Sequence, residues 1–279
     1  MPVPPAPERV LVTGVHGLIA SAVYRSLVSR PERYEVYGLA RRAEPSERAT
    51  KQRLDIPADR FILGDMADPK VVDKACESMD TVVHMAADPR PEADWNSLLL
   101  SNIVSTKNTF DAAVRMGVRR VVYASSIMVS WGYQADEPYK SVAEGRFEDV
   151  EGKQVPKITH ESPTRPTGHY ASTKLWGEAL ARYSADVEGL SALCLRIGWV
   201  NAEDHPQRPE AGAFWCSQRD VVQLVERAIE APEDLKFGIF YAVSDNQWRW
   251  VDIDHARDVL GFVPQDSAED VLKSASPKA

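Results

Sequence analysis

Tyr170 and Lys174 stand four residues apart in Tyr170-Ala171-Ser172-Thr173-Lys174, a spacing that puts both polar groups on one face of a helix. A phenol, with an ordinary pKa of about 10, is a poor base at neutral pH unless a positive charge steadies the phenolate. Lys174 would supply that charge, so the pair could move a proton at a substrate oxygen. The spacing also arises by chance in surface pairs, so its place in the chain decides. Ser125 and Ser126 close the apolar run that precedes it, and their hydroxyls would emerge at the carboxyl edge of a sheet, where doubly wound folds bind ligands. Ordinary capping of the strand end is the alternative for both serines.

A second constellation opens the chain. Directly after an apolar run at 9–12 comes Thr13-Gly14-Val15-His16-Gly17-Leu18-Ile19-Ala20. Gly14 and Gly17 suit a tight turn in close approach to a pyrophosphate, and the amides from Leu18 and Ile19 onward begin a helix whose N-terminus attracts an anion. Ala20 stands where Gly or Ala permits close helix packing. A tight turn without ligand is the competing reading. Past the second run, Tyr37-Gly38-Leu39-Ala40-Arg41-Arg42 lacks the carboxylate that binds the ribose hydroxyls of NAD. Paired guanidinium groups suit a 2′-phosphate, so Arg41 and Arg42 predict NADP, with NAD the alternative if they are solvated loop charges. Gly64-Asp65-Met66 ends the third run, where Asp65 could accept from an adenine amino group. Asp68 reads as the N-cap of a helix entered through Pro69.

The elements that must position these groups alternate in a βαβ rhythm. Strands are predicted at 9–12, 35–39, 60–63, 81–84, 120–123 and 192–196, and helices at 18–29, 69–78, 95–116 and 169–187. The fold class is therefore α/β, a Rossmann-type doubly wound parallel sheet. The charged, Pro- and Gly-containing stretch 134–167 breaks the rhythm and is predicted to be a long functional or mobile loop. Beyond 196 the pattern loosens into a helix at 219–231, a strand at 239–243 and a helix at 253–260. We read residues 1–196 as the dinucleotide-binding domain and 197–279 as a small C-terminal substrate-side lobe packed on it, the two making one structural unit.

Composition narrows the partners. With 279 residues, 44% of them hydrophobic, the chain can bury a full α/β core. Its net charge of -8 opposes a nucleic-acid surface, which needs clustered Lys and Arg, and points to a small-molecule substrate. The three cysteines, Cys76, Cys194 and Cys216, are odd in number and unpatterned, as expected for buried thiols rather than a disulfide framework or a metal site. The N-terminal residues lack the charged and apolar regions of a signal peptide, and no stretch is apolar enough for a membrane span, so a cytoplasmic location is expected.

Taken together, the glycine turn, the paired serines and Tyr-x-x-x-Lys resemble the extended short-chain dehydrogenase/reductase family over nearly the whole chain. That resemblance implies that Tyr170 is the acid/base, that Lys174 lowers its pKa and binds the nicotinamide ribose, and that Ser126, ahead of Ser125, holds the reacting oxygen. It also implies cofactor contacts from Ala86 and Ala87 in His84-Met85-Ala86-Ala87, from Asn102 in the following helix and from Val200. Within the family, Ala87-Asp88-Pro89-Arg90-Pro91-Glu92, Leu195-Arg196-Ile197-Gly198, Trp215-Cys216-Ser217-Gln218-Arg219-Asp220 and 244–261 resemble uronate dehydrogenases and archaeal NAD-dependent glucose-6-phosphate dehydrogenases. Those enzymes oxidise the anomeric carbon of a cyclic sugar to a lactone, with no metal. Asp88, Ser126, Ile127, Trp199 and Arg208 would then face the substrate, with Arg90 a second candidate for an anionic group. The chain departs from this pattern where Ile127-Met128 replace the usual Asn-His and Trp199 replaces a serine. Five tryptophans, Trp131, Trp199, Trp215, Trp248 and Trp250, fall near the same segments, and their faces would accept a sugar ring or a hydrophobic carbonyl compound. A nucleotide-sugar epimerase or dehydratase and a non-catalytic NADP-binding regulator are the remaining alternatives. The family pairs the helices near 95–116 and 169–187 between subunits, which implies a homodimer.

Overall fold

The computed structural model describes residues 6–46, 49 and 52–275. Seven strands, β1 (Glu8–Thr13), β2 (Tyr34–Ala40), β3 (Phe61–Leu63), β4 (Thr81–His84), β5 (Arg120–Ser126), β6 (Ser191–Ile197) and β7 (Phe237–Ala242), form one parallel sheet in the order β3-β2-β1-β4-β5-β6-β7. All seven residues of β5 and of β6 are buried, as a parallel strand covered on both faces requires. Among the described residues, ten helices accompany the strands. They are α1 (Leu18–Val28), α2 (Pro69–Cys76), α3 (Trp95–Leu98), α4 (Ser105–Arg115), α5 (Tyr139–Ala143), α6 (His169–Glu188), α7 (Pro209–Gly212), α8 (Gln218–Ile229), α9 (Asp254–Leu260) and α10 (Ala268–Ala275).

Helices α1 and α8 cover one face of the sheet, where Val23 and Leu27 share a core with Leu224, Ala228 and Phe240. Helices α2, α4 and α6 cover the other through Val72, Phe110 and Ala181. Arg120, fully buried, donates to the carbonyls of Ala228, Ile229 and Ala231 and so closes the C-terminal end of α8. A third, aromatic cluster lies beyond the carboxyl ends of the strands and gathers Ile127, Tyr139, Val142, Ile158, Trp250 and Ile253. Cys76, Cys194 and Cys216 are buried free thiols.

The structure refines several elements. The helix predicted at 95–116 is broken by a π-helical segment, Leu99–Val104, whose wider turn holds Asn102 against its neighbours. The segment predicted as a long loop carries α5 and a 3-10 turn at Phe147–Asp149, pinned by buried Tyr139 and Val142. The tail's strand extends the parallel sheet, with β7 pairing to β6 from Ala192↔Phe237 to Ile197↔Ala242. As expected, Asp68 caps α2, accepting from the Lys70 amide at 2.9 Å with Pro69 in the first turn.

Helix α6 approaches β5 so closely that a Cβ on Gly177 would lie 2.2 Å from the Tyr123 hydroxyl. Gly177→Ala is therefore expected to destabilise the fold by about 1–3 kcal/mol through overpacking, read by denaturant unfolding. Wild-type stability in this variant would show that α6 can shift off the sheet freely.

Candidate active site

The sheet order reverses between β1 and β4, and such a switch point opens a crevice at the carboxyl ends of the strands. Gly14, with φ +64°, turns the chain out of β1 against the β4 edge, and a Cβ there would lie 2.9 Å from the Ala86 Cα. Only glycine fits that approach. The Gly17 amide donates to the Gly14 carbonyl at 2.7 Å, and Gly17 is also the N-cap of α1, so no side chain covers the amides of the apolar first turn, Leu18-Ile19-Ala20. A helix N-terminus of this kind favours an anion. Gly14, Ala40, Arg41, Asp65, Met66, Ala86, Ala87, Ser101 and Ser105 line one cleft beside it. The bare glycine cradle, the uncovered helix start and this cleft fit a dinucleotide, with the pyrophosphate at Gly14–Ile19 and the adenosine end between Arg41, Asp65 and Met66.

The β4 side of the crevice is held by a buried polar chain. The Thr13 hydroxyl oxygen accepts from the Met85 and Ala86 amides at 3.2 and 3.1 Å and lies 3.0 Å from His84 Nδ1. His84 Nε2 in turn lies 3.1 Å from the Thr106 hydroxyl. Burial, with the charge of Lys174 as a lesser cause, lowers the His84 pKa to about 3, so the ring stays neutral. With two amides on its oxygen, Thr13 gives its hydrogen to Nδ1, which leaves the ring proton on Nε2.

Tyr170 and Lys174 lie on the first two turns of α6, both buried, with Lys174 Nζ 5.9 Å from the centre of the Tyr170 ring. Nζ donates to the Ala124 carbonyl at 2.8 Å, which fixes it against the end of β5. Burial lowers the Lys174 pKa to about 8. An ammonium here keeps two further N–H donors, and beside the phenol it can steady a phenolate or hold the hydroxyls of a bound ribose.

The two serines part ways because successive strand residues point to opposite faces. Ser125 donates to Glu178 Oε1 at 2.6 Å. Glu178 takes Arg196 in a two-pronged pair at 2.9 Å on each oxygen, both partners 2–3% exposed. Arg196 continues to the Tyr241 hydroxyl at 3.0 Å, and Tyr241 to Ser130 at 2.7 Å. Ser125 is thereby part of a buried scaffold. The Ser126 oxygen accepts from the Met128 amide at 3.2 Å, so its own hydrogen remains for a further acceptor.

Several other predicted residues act at one remove from the crevice. Asn102 brackets the β4–α3 loop to α6: its Oδ1 accepts from the Asp88 amide at 2.7 Å, and its Nδ2 donates to the Asp88 carbonyl and to Thr173 Oγ1 at 3.2 and 3.1 Å. The Asp88 carboxylate is taken by Arg90 and by Ser97, which hold its pKa well below the usual carboxylate range. Val200 packs in the α1–α8 core. Ile127 is buried in the aromatic cluster with Trp250, and Trp215 is as fully buried. Trp199 is half-buried and tilts against Phe214 at 6.4 Å. Arg42 is exposed, and Arg208, also exposed, pairs with Glu210 at 3.5 Å.

Ala40, Ser101 and Ser105 enter the cleft without having been singled out in the sequence. Ser101 and Ser105 are four residues apart, and that shared helical face was the readable sign. The Ser125–Glu178–Arg196–Tyr241–Ser130 chain left no such sign, because its members lie on three strands, a helix and a turn.

Comparison with known proteins places this geometry among relatives. The profile of the NAD dependent epimerase/dehydratase family matches residues 10–215. The chain is similar to the NAD-dependent glucose-6-phosphate dehydrogenase of Haloferax volcanii, with 33% identity over 272 residues covering 97% of this chain and 98% of that one. It is also similar to the L-arabinose 1-dehydrogenase (NAD(P)(+)) of the same organism, at 27% identity over 95% and 99% of the two chains. Among solved structures, uronate dehydrogenase from Agrobacterium tumefaciens superposes with a TM-score of 0.75 and 26% identity, covering 99% of this chain and 92% of that one.

Lys174 offers a direct test of the site. Its folded pKa of about 8 lies below the ordinary lysine value of 10.5, so the unfolded chain binds this proton more tightly. The resulting cost is full below pH 8 and fades as pH rises towards 10.5. Lys174→Met is expected to hold or raise the midpoint of unfolding at pH 7 while lowering turnover by about 100-fold or more. A lower midpoint with turnover preserved would make Lys174 a packing residue.

Proposed function

The chain belongs to the NAD dependent epimerase/dehydratase family, and from that premise we propose that it is a nicotinamide-dependent dehydrogenase oxidising the anomeric carbon of a cyclic sugar to a lactone. The observation that carries this reading is a buried lysine beside Tyr170, anchored to the end of β5 at the edge where the glycine cradle opens. The likeness to sugar dehydrogenases along nearly the full chain supports it.

Tyr170 takes the proton of the anomeric hydroxyl. Lys174 steadies the phenolate form of Tyr170 that accepts this proton, and turns its free N–H donors to the ribose hydroxyls. Ser126 holds the reacting oxygen through the hydrogen that Met128 leaves to it. Asn102, tied to Asp88 and Thr173, keeps the β4–α3 loop and α6 in register so that these groups converge. When bound, the nicotinamide supplies the acceptor for the hydride.

Cofactor choice follows from the tip of β2. Ala40 and Arg41 both line the cleft where an NAD enzyme usually carries a carboxylate. The chain is accordingly an NADP-preferring enzyme that also accepts NAD, with Arg41 on the 2′-phosphate and the exposed Arg42 flanking it. Two copies associate through the helices that leave Trp95, Leu100, Tyr183 and Val187 exposed. The three buried free thiols suit a reducing cytoplasm. Among the described residues, no helix is long and apolar enough to cross a membrane.

Turnover of aldoses, uronates, sugar phosphates and hydrophobic ketones with each cofactor tests the reading, followed by the absorbance of reduced nicotinamide and by lactone formation. Tyr170→Phe should lower kcat by about 10³-fold, within the usual range for a lost acid/base, and leave the cofactor Kd unchanged. Arg41→Ala should raise KM for NADP by about tenfold and leave that for NAD alone. Turnover of hydrophobic ketones alone would replace the sugar reading, and an NAD preference in the wild type would remove the role of Arg41.

A further inference from the structure

The loops around the site divide sharply by charge. The connections leaving the carboxyl ends of β4, β5, β6 and β7, residues 85–94, 127–168, 198–217 and 243–253, carry fifteen Asp and Glu against eight Lys and Arg. That excess of seven negative charges is nearly the whole of the chain's -8. The connection from β2 to β3, residues 41–60, carries six Lys and Arg against four Asp and Glu. Arg41 of that connection lines the cleft at the adenosine end, whereas the substrate end meets strongly negative loops.

The substrate-side cations are also committed. These four connections hold five arginines, each with a carboxylate partner. Arg90 pairs with Asp88, Arg146 with Glu137 and Asp149, Arg165 with Asp136, Arg208 with Glu210 and Arg249 with Asp245. Lys153 and Lys157 donate to the Asp149 and Arg249 carbonyls, and Lys140 is exposed. An anionic substrate would have to displace one of these carboxylates and cross a repulsive field to reach Tyr170.

What the same edge offers instead is an aromatic wall. Ser126 pairs with Ile197 across the sheet, and Trp199 follows Ile197 by two residues while Trp131 follows Ser126 by five. The Trp199 amide donates to the Phe214 carbonyl at 2.8 Å, and the Phe214 ring meets Trp131 edge-on at 4.9 Å. All three rings are half-buried, so each keeps part of its surface open to solvent. Trp131, Phe214 and Ile127, which directly follows Ser126, belong to one apolar cluster at this end of the sheet.

We infer, on the premise that the site oxidises a sugar hemiacetal, that its substrate is a neutral aldose, stacked on Trp131, and not a uronate or a sugar phosphate. The decisive measurement compares kcat/KM of the wild-type enzyme for neutral pentoses and hexoses with that for the matching uronates and 6-phosphates. A preference of at least tenfold for the neutral sugars is expected. Raising salt from about 0.02 to 0.5 M should narrow it, because screening weakens repulsion of the anions only. Trp131→Ala should raise KM for the neutral sugar about tenfold, with kcat within about threefold and cofactor Kd unchanged. Sugars oxidised with the anionic forms preferred would overturn this inference alone, and an unmoved KM in Trp131→Ala would overturn the stacking. Failure to oxidise any sugar would overturn the lactone reading, and this inference with it.

Discussion

The active-site edge hangs on one buried ion pair. Glu178 and Arg196 are almost wholly removed from water, and two charges so placed must satisfy each other and every remaining donor or acceptor. They do so by drawing in Ser125 from β5, Tyr241 from β7 and, through Tyr241, Ser130 from the turn after β5. Glu178 lies one turn beyond Lys174 and two beyond Tyr170 on α6. Fixing Glu178 against the sheet therefore fixes the rotation of α6, and with it the direction of both reactive groups. Gly177 permits the close approach by leaving room for the Tyr123 hydroxyl.

Lys174 is the counterpart of that pair. The carboxylate nearest along the α6 face belongs to Arg196, and Nζ rests on a carbonyl oxygen. A protonated amine held this way in a buried site costs stability, an expense that makes sense where a charge must be ready for a phenolate and a ribose. His84 stays neutral chiefly because burial penalises its charged form, with the charge of Lys174 adding to that. The neutral Thr13–His84–Thr106 chain instead orients the Met85 and Ala86 amides and keeps the wall of the crevice rigid.

Much of this was legible from the sequence because it rests on local rules. The glycine turn, the strand tips at Arg41 and Asp65, the cap at Asp68 and the Tyr170–Lys174 spacing are each set by a few adjacent residues, and the parallel order follows from the βαβ rhythm. The rest depends on contacts between distant segments. The different duties of Ser125 and Ser126 follow from strand alternation combined with Glu178, fifty-three residues away. Asp88 reads as a substrate ligand until Arg90 and Ser97 are seen to occupy it. The π-helical turn at Leu99–Val104 has no periodic signature, since its register is set by the bonds of Asn102 to Asp88 and Thr173. β7 reads as part of a loosened tail, although its hydrogen bonds are those of the main sheet.

The division of charge along the sheet edge gives this scaffold its direction. On the proposed reading, a dinucleotide would set its phosphates at the β1–β2 end, against the uncovered N-terminus of α1. The reacting ring must sit at the β5–β6 end, among carboxylates already paired and aromatic rings already packed. Burial is what lowers the Lys174 pKa, and its ammonium rests on the Ala124 carbonyl at the end of β5, not on a loop carboxylate. The loop charges thus bear on which sugar enters, while the groups that move the proton are set by burial and by their anchorage to the end of β5.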